Sequence, residues 1–271
     1  MRVFIVSDME GVAGITNWPG VTGGDPLYDE GRKLYTEEIN AAARGAFDAG
    51  GTEVVVMDCH GAGGGWSFNS LIAEQLDRRV EFVVQHEWTE YTGALEDGCD
   101  AALFVGMHAM AGTPDGLMNH TVSGTDWRRV TFNGVEVGET GINAALCGTW
   151  GTPVLLVTGD RATCEEGTAL LGGGLTTVAV KEGLGRFSAR QIPALRAREL
   201  IEAGAKQALK DLTAVKPFDP GSPCTIEVEY KVTTAVDKLR RVPAVEVVDA
   251  RRIRTTADTW WQAWQQFFFF D

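Results

Sequence analysis

Short, continuously apolar runs rich in β-branched residues alternate along this chain with longer stretches of helical periodicity, and that alternation constrains the fold more than any other feature. The apolar runs at 3–7, 52–57, 80–84, 101–105, 154–158 and 176–180 have strand length. Between them, 29–49 carries Leu34, Ile39, Ala42, Ala43, Ala46 and Phe47 at helical spacing and stops at Gly50-Gly51. Further helices are expected at 69–76, 88–96, 139–150, 161–171 and 193–212. Strands that are apolar on both faces must be covered on both faces, so the expected fold is α/β, a parallel-sheet core wrapped by helices. Asn133-Gly134 between two β-rich triplets predicts a hairpin over 130–137, an antiparallel excursion from that core. The Pro-rich stretch 216–223 is the best boundary, dividing a core at 1–215 from a smaller C-terminal α/β part at 224–271 with strands at 225–230, 245–248 and 251–255. The last segment, 258–270, reads as a helix capped by Asp258 that puts Trp260, Trp261, Trp264, Phe267 and Phe268 on one broad face. Such a face packs on a sheet or in a subunit interface, and Phe269 and Phe270 exceed what it can bury, which points to an oligomer contact.

Charge narrows the partners. The 271 residues include 24 Lys and Arg against 37 Asp and Glu, a net charge of −13 with no basic stripe, which argues against nucleic-acid phosphates or an anionic membrane as partners. The N-terminal apolar run breaks into carboxylates far too early for a signal sequence or a membrane span, so a cytoplasmic protein is expected. Five scattered cysteines without a C-x-x-C pair fit reduced thiols, Cys59 among them as a small buried filler.

The chemistry gathers at strand ends. Asp8 and Glu10 follow the first strand, His60 the second, in Asp58-Cys59-His60, and His108 the strand ending at Gly106. In a parallel sheet all of these lie at the carboxyl edge, where open α/β folds bind ligands. Residues i and i+2 of an extended segment point the same way, so Asp8 and Glu10 can converge. Carboxylates and imidazoles sharing one crevice need a cation to offset their burial, and a His and carboxylate set without clustered Cys suits catalytic zinc or manganese. The bland readings are a solvated Asp-x-Glu loop and a structural histidine, the latter being our reading of His86 unless it supports a ligand from behind. Glu139 by itself is a helix N-terminal carboxylate that complements the macrodipole, and His120 a loop histidine in a Gly- and Pro-rich stretch. Asp160, Arg161, Lys181 and Arg186 follow later strands and could hold a substrate carboxylate, or simply form surface salt bridges. Gly61 to Gly65 lacks the G-x-G-x-x-G pattern of a dinucleotide loop.

Five ordered motifs carry a resemblance over essentially the whole chain: Ser7-Asp8-Met9-Glu10-Gly11, Asp58-Cys59-His60, Gly106-Met107-His108-Ala109, Met118-Asn119-His120-Thr121, and Val137 to Asn143, reading VGETGIN. With these the chain resembles the bacterial D-aminopeptidases, dinuclear zinc metallopeptidases. The resemblance implies two Zn2+ ions per chain held by Asp8, Glu10, His60, His108 and Glu139, with Asp8 bridging, and His120 as the catalytic histidine. It further implies short peptides with an N-terminal D-residue, typically D-Ala, as substrates, and a homodecamer of stacked pentameric rings. Cys59, where the family more usually has Ser, and the aromatic C-terminal helix are departures that bear on substrate preference. A hydrolase of another amide or of a phosphoester, and a non-catalytic zinc-binding ring scaffold, are the competing readings. The scarcity of Arg and Lys beside the carboxylates counts against phosphate.

Overall fold

In a computed structural model the described residues are 1–86 and 92–268. In chain order, β1 (Arg2–Ser7), α1 (Tyr28–Asp48), β2 (Glu53–Asp58), β3 (Glu81–Val83), the single turn α2 (Gly93–Glu96) and β4 (Ala101–Met107) form the first half of the core. The hairpin β5 (Trp127–Phe132) and β6 (Val135–Val137) follows, then α3 (Glu139–Thr149), β7 (Val154–Asp160), α4 (Arg161–Leu171), β8 (Thr176–Gly185), β9 (Ser188–Gln191) and α5 (Ala194–Ala208). The chain ends with β10 (Cys224–Tyr230), α6 (Thr233–Leu239), β11 (Glu246–Asp249), β12 (Arg252–Ala257) and α7 (Trp260–Gln265).

Two sheets result. The larger has seven strands in the order β3-β2-β1-β4-β7-β8-β9, parallel throughout except for β9, which returns antiparallel beside β8. The helix-rich crossovers fill both faces, and β1, β4 and β7 are buried along nearly their whole length, as their unbroken apolar runs require. From β1 the chain first builds outward through β2 and β3 and then returns to the other side through β4 and β7, so the topological switch point lies between β1 and β4. Ser7 pairs with both Asp58 and Val105, which brings the segments leaving β1, β2 and β4 out at one height.

The smaller sheet is antiparallel, in the order β11-β12-β10-β5-β6. The 130–137 hairpin does not stand alone: β5 pairs with β10, so residues beyond the Pro-rich link complete a sheet begun a hundred residues earlier. Along β10 buried Ile226, Val228 and Tyr230 alternate with half-buried Thr225, Glu227 and Glu229, the period-two pattern of a sheet covered on one face. Helix α7 packs on β10 and β12 and also touches α3. Among the described residues no helix is long and apolar enough to cross a membrane.

Several local expectations fail. The helix expected at 69–76 is a loop with one 3-10 turn, Ala73–Gln75. Its backbone groups are taken by side chains instead: Asp58 accepts from Ser70 N, Thr36 from Ile72 N, and Asn40 bonds both Gln75 O and Asp77 N. Such bonds compete directly with a helical ladder. Of the helix expected at 88–96 only α2 is seen; residues 87–91 lie outside the described residues. The last helix begins at Trp260, capped by Thr259, whose side chain accepts from Gln262 N, and not by Asp258. It is shorter than its apolar periodicity suggests, and Phe269 and Phe270 lie outside the described residues. β9 and α6 carry no sequence signal strong enough to have been read.

Candidate metal centre

The switch point is built by close backbone packing. The loop after β1 folds over the end of β4, with Asp8 N donating to Val105 O and Gly11 N to Gly106 O. A Cβ on Gly106, which has φ +76°, would lie 2.0 Å from Asp8 O, and one on Gly11 would lie 2.0 Å from Met107 O. Only glycine lets the loop carrying Asp8 and Glu10 lie this close to the strand that delivers His108.

Within this frame the five residues expected to face a metal come together, and His120 joins them. His60 Nδ1 lies 3.1 Å from both Asp8 Oδ1 and Glu10 Oε2. His108 Nε2 lies 3.3 Å from both Asp8 Oδ2 and Glu139 Oε1, and His120 Nε2 is 3.8 Å from Glu139 Oε1. The rings of His108 and His120 stack with centroids 4.0 Å apart. Asp8, Glu10 and His108 group tightly enough to share a cation, and so do His108, His120 and Glu139. Asp8 turns one oxygen to each side.

Each histidine spends its outer nitrogen on a main-chain carbonyl: His60 Nε2 on Val21 O at 2.8 Å, His108 Nδ1 on Ala109 O at 3.0 Å, and His120 Nδ1 on Met118 O at 3.0 Å. A carbonyl can only accept, so those nitrogens carry the proton, and a neutral ring then presents a lone pair to the carboxylates. Lone pair would face lone pair. Asp8 Oδ2, Glu10 Oε2 and His108 Nε2 are buried with no hydrogen-bond partner, which leaves either extra protons or cations to satisfy them. The donor set fits zinc, with the backbone carbonyls fixing tautomer and ring orientation as supports behind a metal ligand do.

The electrostatics follow. Burial, reinforced by Glu10, raises the Asp8 pKa to about 7. Burial also pushes on Glu10 and Glu139, but the neighbouring histidines win: Glu10 is held well below its usual range beside His60, and Glu139 falls to about 2 beside His108. The converse holds for His60 and His108, whose burial is outweighed by the carboxylates, so both are raised. Burial and the positive field of His108 lower the His120 pKa below its ordinary value.

Residues outside the expected ligand set hold this cluster in place, in roles other than those the sequence suggested for them. Asp58 accepts from His60 N and from Tyr35 OH. Glu166 accepts from Met110 N just beyond His108. Lys181 is neither a surface ion pair nor a group open to substrate: it is 3% exposed and donates to the carbonyls of Glu10, Val12 and Ile15 at 2.6–2.7 Å, clamping the first loop. Asp160 caps α4 and accepts from Leu117 N, and exposed Arg161 pairs with Glu182. Arg186 donates to Asn119 O, next to His120. His86 is exposed and stands apart from the cluster, against Gly65. Cys59 is half-buried with its thiol pKa raised by burial, an inert wall residue. A lysine reaching back from β8 to the loop after β1 leaves no local pattern, so only the fold reveals it.

A cavity of about 170 Å³ opens against the cluster. One side is Asp8, Glu10, His60, His120 and Glu139; the other is largely apolar and includes Trp260, Trp264 and Phe268 from the C-terminal segment.

The peptidase M55 family, described as D-aminopeptidase, matches residues 1–269. A D-aminopeptidase of Bacillus subtilis (strain 168) is 31% identical over 249 residues, covering 91% of this chain and 88% of the relative. Among solved structures, the Zn-dependent D-aminopeptidase DppA from Bacillus subtilis, described as a self-compartmentalizing protease, superposes with a TM-score of 0.91 at 28% identity, covering 100% of this chain and 96% of the other.

Proposed function

Since the chain belongs to the peptidase M55 family of D-aminopeptidases, we propose that it is a zinc-dependent enzyme that removes the N-terminal residue of short peptides, D-alanyl peptides among them, at a dinuclear centre. The observation that carries this reading is the facing set of inward nitrogens and partnerless oxygens, with every outer histidine nitrogen committed to a carbonyl. Asp8, Glu10, His60, His108 and Glu139 would hold the two ions, with Asp8 shared between them. Bound zinc supplies Lewis acidity, polarising a scissile carbonyl and acidifying water toward neutral pH.

The chain's own groups do the rest. His120, fixed through Nδ1 with Nε2 turned to the cluster, is the reacting histidine: at Nε2 it can carry a proton from the attacking water to the leaving amine, stabilise the tetrahedral oxyanion, or attack the carbonyl carbon itself, the amine leaving with a proton and water then releasing the acyl group. Its edge meets Trp18 at 5.6 Å between centroids, and its face lies on His108, so the ring is held from two directions. The apolar wall limits water around the reacting carbonyl. Along the chain, 1–215 would hold the centre and 224–271 would supply the wall and an oligomer contact. Assembly into a homodecamer of stacked rings is part of the reading, supported by the self-compartmentalizing relative.

Elemental analysis of the purified protein, alongside a dipeptide panel in both chiral forms, tests it. About two zinc ions per chain with hydrolysis of D-Ala peptides is expected. Full hydrolysis after chelation, or no cleavage by the zinc-loaded protein, overturns it. Light scattering of the same sample checks the assembly, and a monomer mass at micromolar concentration refutes that part alone.

A further inference from the structure

The cavity beside the metal-facing cluster has two chemically different sides, and the second has no part in holding ions. Trp260, Trp264 and Phe268 are spaced i, i+4 and i+8 and form a stacked column: Trp260 and Trp264 lie 5.4 Å apart at 22°, Trp264 and Phe268 4.5 Å apart at 27°. Phe68, Val122, and Ile142 with Leu146 of α3 add to the apolar lining from three other segments. The column packs on Trp127 and Phe132 of β5 behind it, so the wall is rigid before any ligand arrives.

Backbone strain marks the same wall. Phe68 and Val122 adopt φ of +58° and +59°, the left-handed region that bulky and β-branched residues avoid. In that conformation Val122 N donates to Glu139 Oε1 at 2.7 Å while the side chain lines the cavity, so a single strained residue joins the ion-facing side to the apolar side. Such strain persists where the surrounding structure over-determines it, and it clusters at functional sites. Among the described lining residues every charged group belongs to the ion-facing side, and the one neutral amide is Asn143.

Resting on the aminopeptidase reading, we propose that this wall is the recognition pocket for the side chain of the substrate's amino-terminal residue, and that it selects an uncharged, apolar side chain. A Lys or Glu side chain packed on this wall would lose its hydration against aromatic rings, and among the described lining residues no charged group stands on that side to meet it. The C-terminal segment, none of whose described residues faces the ions, would thus decide which peptides are cut.

The test uses the zinc-loaded full chain and five tripeptides, D-Xaa-Gly-Gly with Xaa as Ala, Leu, Trp, Lys or Glu. The parent is expected to cut Ala and Leu at least about 30-fold better in kcat/KM than Lys or Glu, within the range that differential pocket binding supplies. Phe268→Ala, which shortens the wall at its end, should raise Trp relative to Ala by about 10-fold or more. Phe268→Asp, which adds a carboxylate to the wall, should raise Lys relative to Leu by a similar factor and leave Glu disfavoured. Metal content and far-UV circular dichroism should match the parent in both variants. If the parent cuts D-Ala-Gly-Gly and neither ratio moves in either folded variant, the wall does not read the side chain and the proposal fails while the function stands. A parent that cuts none of the five overturns the aminopeptidase reading and this inference with it.

Discussion

The two sheets treat charge in opposite ways. In the seven-stranded sheet β1, β4 and β7 are buried on both faces, so charged groups are confined to strand ends and gather where the chain leaves β1, β2 and β4, at Asp8, Glu10, His60 and His108. In the antiparallel sheet one face is buried and the other meets water, and there charges alternate along the strands as ladders: Glu227 pairs with Arg252 and Arg254, and Glu229 with Arg128. Those exposed pairs contribute little each, about 0–1 kcal/mol. The crest residues pay the desolvation cost of burial and need a cation or protons to offset it. A parallel sheet thus gathers its polar chemistry at one edge, whereas an antiparallel sheet spreads its own over a face and offers its apolar side as a wall.

That contrast predicts where substitutions act. Asp8→Ala strikes the crest where both histidine clusters meet, and should take the protein from about two ions per chain to fewer than one, with peptide hydrolysis below detection; full two-ion loading by elemental analysis would refute the bridging role. His120→Ala should keep both ions and the fold but lower kcat by about 10²- to 10⁴-fold, the usual cost of a missing acid-base group. Loss of metal in that variant would instead make His120 a ligand, the arrangement its grouping with His108 and Glu139 also allows.

Lys181→Met should act through the loop rather than on the reaction. Removing the ammonium leaves the buried carbonyls of Glu10 and Ile15 without their donor, while Val12 O keeps Ile15 N; at about 1–3 kcal/mol for each unsatisfied group, unfolding stability should fall by roughly 2 kcal/mol or more. Zinc affinity should weaken with it, since Glu10 sits on the clamped segment; unchanged affinity by competition with a chelator would show that the loop holds its shape unaided. The smallest effect belongs to the other sheet. Thr259→Ala removes the cap of α7 and should cost about 1 kcal/mol in a denaturant titration, with metal content unchanged. A change in zinc stoichiometry there would break the separation between the two regions.

How far the sequence reaches differs along the chain. Asp8, Glu10, His60 and His108 were legible because strand ends are marked by the stop of an apolar run, and topology carries them to one edge. Glu139 and His120 were not, since one looks like any helix N-terminal acid and the other like any loop histidine; motif resemblance supplied both. The loop at 69–76 deceived periodicity because polar side chains of α1 and β2, distant in sequence, claimed its backbone. The aromatic column was visible as a helical face, yet its place against the cavity depended on β10 pairing with β5 across the Pro-rich link.

The sequence by itself determined the alternating α/β order, the buried parallel strands and the edge at which the polar residues collect, because hydrophobic period and turn chemistry are local and each element carries its own record of them. Only the tertiary structure decided which carbonyl fixes each histidine, that Lys181 clamps the first loop, and that the last helix walls the cavity. Those outcomes rest on contacts between segments up to about 170 residues apart, from Lys181 back to Glu10. Their energies belong to pairs brought together by folding, and no short window of sequence contains both partners.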